Sequence, residues 1–599
     1  MMTPDANAKI KAPDIKIKTR DVKVLYIDLT TGKMSRKLRP DLTEYLGGAG
    51  IATKLLQEEV LPQEDALDPR QPIILATGPL AMIYPSVTKT VAMFKSPLTG
   101  ELGESHAGMR LAMAMRLAGL DAIVITGKSQ GPCYLSISDQ FIGIKNAEPL
   151  WGYSVEEAGR SLRELEPGSG HRSCIRIGPA GEKLVSFACV NVDTFRHFGR
   201  LGLGAVFGSK MLKAIVITGA HDELVGDRPQ YNAMYQELYE KCVRTAAMEK
   251  YHELGTPVNI KPLSAMGGLP TLNLQSGAFD QADAISGEAF AEEKLIRKVA
   301  CPGCPVGCIH VALSRRFFGD GYEVESATVS YDYELIFALG SFIGISDKDA
   351  ILRLIEDVEL YGMDAISSGI ILGWVTEAFE KGLIGKAELG TKVAFGAVDG
   401  YRTVLQNLVR QPNQFYRDLA RGLAYAAKVY GGADFAAVLG GNEMPGYHTG
   451  YGSAIGFTVA ARHSHLDNAG YSYDQSNVGP VDIEKLTDFL IEEEQIRCAL
   501  NSLVICLFAR KVYDLDTTAR ALDAAGIPMT VEDLEALGRK IFTLKLQIRQ
   551  SMGFDLRQMT IPKRFFETPT LNGKLDRATA DRIMERYLEK IEQLVAPEN

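Results

Sequence analysis

No apolar run in this chain approaches the ~18 residues that a membrane-crossing helix requires. No run of Lys and Arg is longer than two, so the basic stripe with which a nucleic-acid binder meets phosphates is missing. Low-complexity linkers and solenoid-type repeats are absent, and 46% hydrophobic with 23% charged residues excludes a disordered or fibrous chain. The opening residues hold neither an apolar core segment nor a twin arginine, so no export signal and a cytoplasmic location are expected. None of the glycine-rich turns forms a Gly-x-Gly-x-x-Gly strand-to-helix fingerprint with an acidic residue about twenty positions on, which argues against direct use of NAD. Cysteine is scarce, nine in 599 residues, yet three of the nine fall within eight positions. A secreted disulfide protein would spread them out; clustering points to metal ligation or redox chemistry.

What is present is a slightly acidic globular chain, with 65 Lys and Arg against 74 Asp and Glu. Its length predicts several domains at about 100–200 residues each. Up to about residue 220 short apolar runs bounded by Gly, Pro or Asn read as buried strands, among them Val22–Leu29, Pro72–Ala76, Ala122–Thr126, Cys133–Ser138 and Ala214–Thr218. Leu111–Ala118 reads as a helix between them. Helical periodicity then takes over, over Asn232–Lys250, Asp347–Tyr361, Ala365–Lys381, Phe415–Tyr430, Ile483–Phe508 and Val531–Gln550. The expectation is an α/β (α+β) protein with a β-rich domain at 1–220 and mainly helical domains at 221–434 and 435–599.

The strongest local signal is Cys301-Pro-Gly-Cys304-Pro-Val-Gly-Cys308. Thiolates spaced by two and three residues in a tight Gly/Pro turn can converge on the irons of a cubane cluster. Zinc is the rival, with His310 nearby as a fourth ligand. An iron–sulfur centre needs a distant fourth cysteine, for which Cys498 and Cys506 are the candidates, or leaves one iron open. Cys133, Cys174, Cys189 and Cys242 are isolated and read as small buried hydrophobes.

Four further segments accompany that cluster: Ala76-Thr-Gly-Pro-Leu with Lys95-Ser-Pro-Leu-Thr-Gly100, then Gly119–Lys128, Ile177–Glu182 and Gly199–Ile215. In this order, and across nearly the whole length, the chain resembles the tungsten-containing aldehyde:ferredoxin oxidoreductases. The resemblance implies a saddle of sheets under a tungsten (or molybdenum) bis-pterin, two helical domains covering it, and one [4Fe–4S] cluster beside a pterin. It implies an aldehyde or related carbonyl substrate, and ferredoxin or an iron–sulfur subunit as electron partner; a homo-oligomer is also compatible. Pterin phosphates need N–H groups, glycine turns and cations; Arg200, Leu201 and Gly202 in the Gly199 segment match that need, with Mg2+ bridging the phosphates as a further expectation.

The family's repeated pterin-binding element is matched by Glu359-Leu-Tyr-Gly-Met-Asp364 and by Asn501-Ser-Leu-Val-Ile-Cys506. By this resemblance Cys506 is the fourth cluster ligand beside Cys301, Cys304 and Cys308. Glu359 and Asp364 would meet one pterin, and Asn501 and Ile505 the other. The copies depart from the pattern: Glu359 and Asn501 stand for aspartates, and Val504 for glycine. Lys89 falls where a cluster-to-pterin arginine is usual, keeping the charge without the bidentate fork, and His106 where an asparagine lies near the phosphate magnesium. The family's glutamate matches Glu334 in Tyr331-Asp-Tyr-Glu334, and its histidine matches His465, with His463 next in order; these two positions are the expected proton-handling groups. The alternatives are a low-potential reductase on the same cofactor, like the benzoyl-CoA reductase catalytic subunit, and a non-catalytic iron–sulfur or zinc scaffold.

Overall fold

The structure is a computed structural model that describes residues 21–168, 170–221, 228–318 and 323–595. The opening segment on which the export-signal expectation rests, 1–20, lies outside the described residues. Among the described residues no helix is long and apolar enough to cross a membrane.

The β-rich part is a structural duplication. One six-stranded sheet runs Met34–Leu38, Lys23–Asp28, Ala122–Thr126, Ile73–Ala76, Thr90–Lys95 and Leu102–Ala107, in spatial order. The other runs Ile142–Asn146, Cys133–Ile137, Leu212–Ile217, Ser173–Arg176, Val190–Val192 and Arg196–Phe198. Position for position the strand orders are the same. Each sheet has one parallel pair, Lys23–Asp28 with Ala122–Thr126 and Cys133–Ile137 with Leu212–Ile217, and antiparallel neighbours elsewhere. The inner strands are buried throughout and mainly apolar, because helices and the second half of the chain cover them. Before each closing helix, Leu111–Leu117 and Leu203–Ser209, a non-glycine residue turns the chain through positive φ, Met109 at 69° and Leu201 at 70°.

The rest is mainly helical, with four departures from the sequence expectation. Asn232–Lys250 is two helices, Arg228–Arg244 and Ala246–Glu253, broken where Thr245 is extended. Phe415–Tyr430 splits into Gln414–Leu419 and Leu423–Tyr430 around Gly422, which takes φ 98°. The expected helix Ile483–Phe508 stops at Ser502, because Val504 adopts φ 57°; a short 3-10 turn, Leu507–Ala509, follows. The domain expected to be helical at 221–434 also holds a three-stranded antiparallel sheet, Leu295–Val299, Ile309–Phe318 and Glu323–Tyr331. The cysteine loop connects its first two strands, and its third strand runs directly into Tyr333–Glu334. This sheet is largely half-exposed, so its runs mix charged with apolar residues and lack the apolar block that marks a buried strand.

Candidate functional site

Two helix ends of the second half plug into equivalent places of the duplicated sheets. Helix Lys348–Tyr361 ends at Gly362 with φ 73°, and Met363 then bridges to Ala188. Helix Ile483–Ser502 is followed by Val504, and Ile505 bridges to Val87. The next residue docks alike in both: Asp364 N–H donates to Phe187 O and Cys506 N–H to Ser86 O, each at 3.0 Å. The twofold repetition in the sheets thus meets the twofold repetition Glu359–Asp364 and Asn501–Cys506. One half receives a carboxylate and the other a thiol.

Between these docking points lies a cavity of about 630 Å³. Cys301, Cys304, Cys308 and Cys506 all line it, and all four are free thiols. Gly108 is tailored to this wall: a β-carbon there would lie 2.7 Å from Cys301 Sγ. Met109 N–H approaches Cys301 Sγ at 3.3 Å, and the Ser86 hydroxyl lies 3.3 Å from Cys304 Sγ. Lys89 and Arg196 supply positive charge to the same wall, the Arg196 guanidinium reaching to 3.8 Å from Cys308 Sγ. Burial pulls the Lys89 ammonium down, but Cys506 and Cys301 more than offset it and its pKa is raised. Burial also pushes the Cys304 thiol up to about 12 and raises Cys308. Thiolates therefore form here when a metal compensates them.

Among the described residues no three His, Cys, Asp or Glu side chains close on a single metal ion. Sulfurs spread around a cavity suit a polynuclear centre, whereas tetrahedral zinc needs them closer. His310, the zinc alternative's fourth ligand, directs its two ring nitrogens at the backbone carbonyls of Cys308, His252 and Glu253. Cys498 does not line the cavity; it is 1% exposed, in the core beside Lys545 and Glu104.

Glu334 and His465 also line the cavity and face each other, Oε1 to Nδ1, at 3.5 Å. Asp332 caps helix Tyr333–Leu339 by accepting from the N–H groups of Glu334 and Leu335, which sets where Glu334 starts. Its Oε2 accepts from Gly446 N–H at 3.0 Å. His465 opens the turn capped by Ser464, its carbonyl held by Arg497 and its ring beside Tyr447 and Tyr471. Burial raises the Glu334 carboxyl to about 8, and burial, then Arg200, lowers the His465 imidazole to about 3. At neutral pH the pair is a carboxylic acid beside a neutral imidazole. His463 is not part of it: its Nε2 lies 2.6 Å from Glu101, and Nδ1 faces the carbonyls of Phe457 and Thr458.

The remaining expected residues divide. Arg200, Leu201, Glu359, Asp364, Lys89, His106, Asn501 and Ile505 line the cavity. Gly202 does not; it sits behind Leu201, where any β-carbon would strike Ser186 O. Asp364 accepts from Arg200 Nε at 3.1 Å and caps helix Ala365–Glu380, so it is both a helix cap and part of the wall. Glu359 is held by His197 Nε2 at 2.8 Å, and His106 by Glu104, itself paired with Lys545. Burial lowers His106 to about 4, so it contributes no cation. Sequence reasoning missed Arg196, His197, Tyr447, Tyr471, Lys250, Arg510 and Lys511, all of which line the cavity; they carry no spacing signal, since they reach the site from several elements far apart in the chain.

Four polar atoms of cavity-lining side chains, Glu104 Oε2, Arg200 Nη1, Glu334 Oε1 and His465 Nδ1, are buried without a hydrogen-bond partner; Glu104 Oε2 is ion-paired with Lys545, and the other three are left for a bound group. Buried polar atoms are costly unless satisfied, so the wall is made for a polar group between them. Together with the four thiols and their two cations, the residues present fit an iron–sulfur centre and a bound anionic cofactor side by side.

Free thiols, compensating cations and a neutral acid–imidazole pair around one cavity are the equipment of a cofactor-bearing redox enzyme. Comparison with known proteins gives the particular family. The description "Aldehyde ferredoxin oxidoreductase, N-terminal domain" matches residues 24–219, and "Aldehyde ferredoxin oxidoreductase, domains 2 & 3" matches 233–592. The chain belongs to the aldehyde ferredoxin oxidoreductase family and is an oxidoreductase. It is 31% identical to the tungsten-containing aldehyde ferredoxin oxidoreductase of Pyrococcus furiosus, over 93% of this chain and 91% of the relative. It is likewise 31% identical to the enzyme of that name from Thermococcus kodakarensis, over 92% of each. Among solved structures it is similar in fold to the active site complex BamBC of benzoyl coenzyme A reductase, with a TM-score of 0.81, 19% identity, and 95% of this chain and 94% of that chain covered. Membership of a tungsten-containing family implies a tungstopterin cofactor.

Proposed function

We propose that this enzyme oxidises an aldehyde, or a related small carbonyl compound, to the carboxylic acid in the cytoplasm. Water supplies the oxygen, and two electrons and two protons leave. The observation that carries the reading is the Glu334–His465 pair, 3.5 Å apart in the wall of the cavity that also holds the four cysteines. Cys301, Cys304, Cys308 and Cys506 would hold one [4Fe–4S] cluster, with Lys89 and Arg196 offsetting its charge. Arg200, Leu201, Glu359 and Asp364 would hold one pterin, and Lys89, His106, Asn501 and Ile505 the other. The bound tungsten-pterin supplies the two-electron acceptor, and the cluster the exit toward ferredoxin or an iron–sulfur subunit.

The chain's own residues handle protons and position. Neutral His465 Nδ1 accepts a proton from water or from the carbonyl hydrate. Protonated Glu334 donates a hydrogen bond to the substrate oxygen from Oε1, while Gly446 N–H anchors Oε2. Tyr447 and Tyr471 fix the imidazole and restrict water at that end of the cavity. The test is metal and pterin analysis of the pure protein, combined with aldehyde-dependent reduction of a viologen. Tungsten or molybdenum with pterin and aldehyde turnover supports the reading. Zinc alone, or reduction of an aromatic CoA thioester without aldehyde oxidation, overturns it.

A further inference from the structure

Most cations of the cavity wall have an evident task. Arg200 is paired with Asp364, Arg462 with Asp467 and Arg497 with Glu493. Lys89 and Arg196 face the thiols. Three others line the same cavity with no acidic partner within ion-pair distance among the described residues: Lys250, Arg510 and Lys511. They come from two elements packed together, helix Ala246–Glu253 and the turn after Leu507–Ala509, joined by Tyr251 stacked on Phe508 with ring centroids 4.3 Å apart. Lys250 and Lys511 are exposed and Arg510 is half-buried, so the trio stands where the cavity opens to solvent. The three are close enough to repel: Lys250 is lowered by burial and then by Arg510 and Lys511. Like charges gathered at a cavity entrance without counter-charges destabilise the free protein, and an anion placed between them relieves the repulsion.

We propose that Lys250, Arg510 and Lys511 form an anion subsite at the cavity entrance, which selects carbonyl substrates bearing a carboxylate or phosphate away from the reacting carbon. The proposal rests on the reading of the cavity as a carbonyl-oxidising site. It puts a reactive end at Glu334 and His465, and a charged tail at the opening, with the stacked Tyr251–Phe508 pair beside it. Uniform attraction of the tail lowers KM, and draws it toward the site more strongly at low salt.

The test uses the holoenzyme and the variant K250Q/K511Q. Both lysines are exposed and no side-chain hydrogen bond holds either of them in the described residues, so the exchange spares the fold. The first measurement is calorimetric binding of succinate, an unreactive dicarboxylate, at low and at 0.5 M salt. The second is the ratio of kcat/KM for 4-oxobutanoate over butanal. The subsite predicts salt-sensitive succinate binding that weakens about tenfold in the double variant, and a substrate ratio that falls by a similar factor. Equal succinate binding by parent and variant, or none by either, overturns it. So does a variant that keeps the substrate ratio but reduces an acidic ferredoxin more slowly, which would assign the cations to carrier docking. If neither aldehyde is oxidised, the carbonyl-oxidation reading falls, while the succinate result still decides whether an anion subsite exists. Phosphate tested in place of succinate separates a carboxylate preference from a phosphate one.

Discussion

Replacing Glu334 by Gln removes a titrating proton and leaves the shape. In the folded protein burial, with Asp332 adding and Gly446 N–H opposing, raises this carboxyl from 4.5 to about 8. The unfolded chain ionises the same group near 4.5, so between pH 4.5 and 8 the folded state holds more protons than the unfolded one. Stability is then full below the unfolded value and falls as pH rises through that window. At about 1.4 kcal/mol for each tenfold in proton affinity, the loss across the window reaches roughly 4–5 kcal/mol as an upper bound. Glutamine has no such proton. E334Q should therefore match the parent near pH 4.5, apart from a constant offset, and gain on it steadily up to pH 8, as read from thermal midpoints of both proteins at matched pH. Turnover moves the other way. A lost proton-handling group costs about 10²–10⁴-fold, measured per bound tungsten at pH 7. More stable and less active is the signature of a strained functional group. Turnover per tungsten within a few-fold of the parent would refute the role, and so would a flat stability difference across pH 4.5–8.

Three other outcomes follow from the same wall. Cys506→Ser should lower bound iron or shift the cluster potential, whereas Cys498→Ser, in the core and not part of the cavity wall, should leave both near the parent by iron assay and electron paramagnetic resonance. Gly108→Ala puts a carbon 2.7 Å from Cys301 Sγ, so bound iron should fall although no ligand is changed. Lys545→Met removes the ammonium 2.6 Å from the fully buried Glu104 carboxylate and leaves it the His106 hydrogen bond; it should cost up to about 3–5 kcal/mol, and the double variant with Glu104→Gln should recover much of that in unfolding midpoints.

How the chain closes over the site shows where local reading stops. Val504 is a β-branched residue at φ 57°, a conformation costing about 1–2 kcal/mol relative to glycine. The equivalent position in the other copy is Gly362, at φ 73°. The departure from glycine was visible in the sequence, but its effect, ending a 20-residue helix before the fourth cysteine, was not. Periodicity through Phe508 looked uninterrupted because valine fits a helix locally. Packing overrides it: Val504 is fully buried, and its neighbours Ile505 and Cys506 pair with Val87 and Ser86.

The cysteine triplet, the strand-then-helix drift, the family's separated motifs and a core set of the cavity-lining residues were legible in the sequence. These rest on spacing over a few positions, where backbone geometry links neighbours directly. The duplication of the sheets escaped reading, because equivalent strands share burial and pairing rather than residues. Residue spacing left Cys506 and Cys498 open, and the family resemblance favoured Cys506 and His465; the folded chain brings Cys506 and not Cys498 to the triplet's cavity, sets His465 rather than His463 against Glu334, and puts Gly202 behind the wall. It also gathered Lys250, Arg510 and Lys511 from two separate elements. Such juxtapositions span tens to hundreds of positions and follow from which surfaces are buried together, a property of the whole chain that no local pattern encodes.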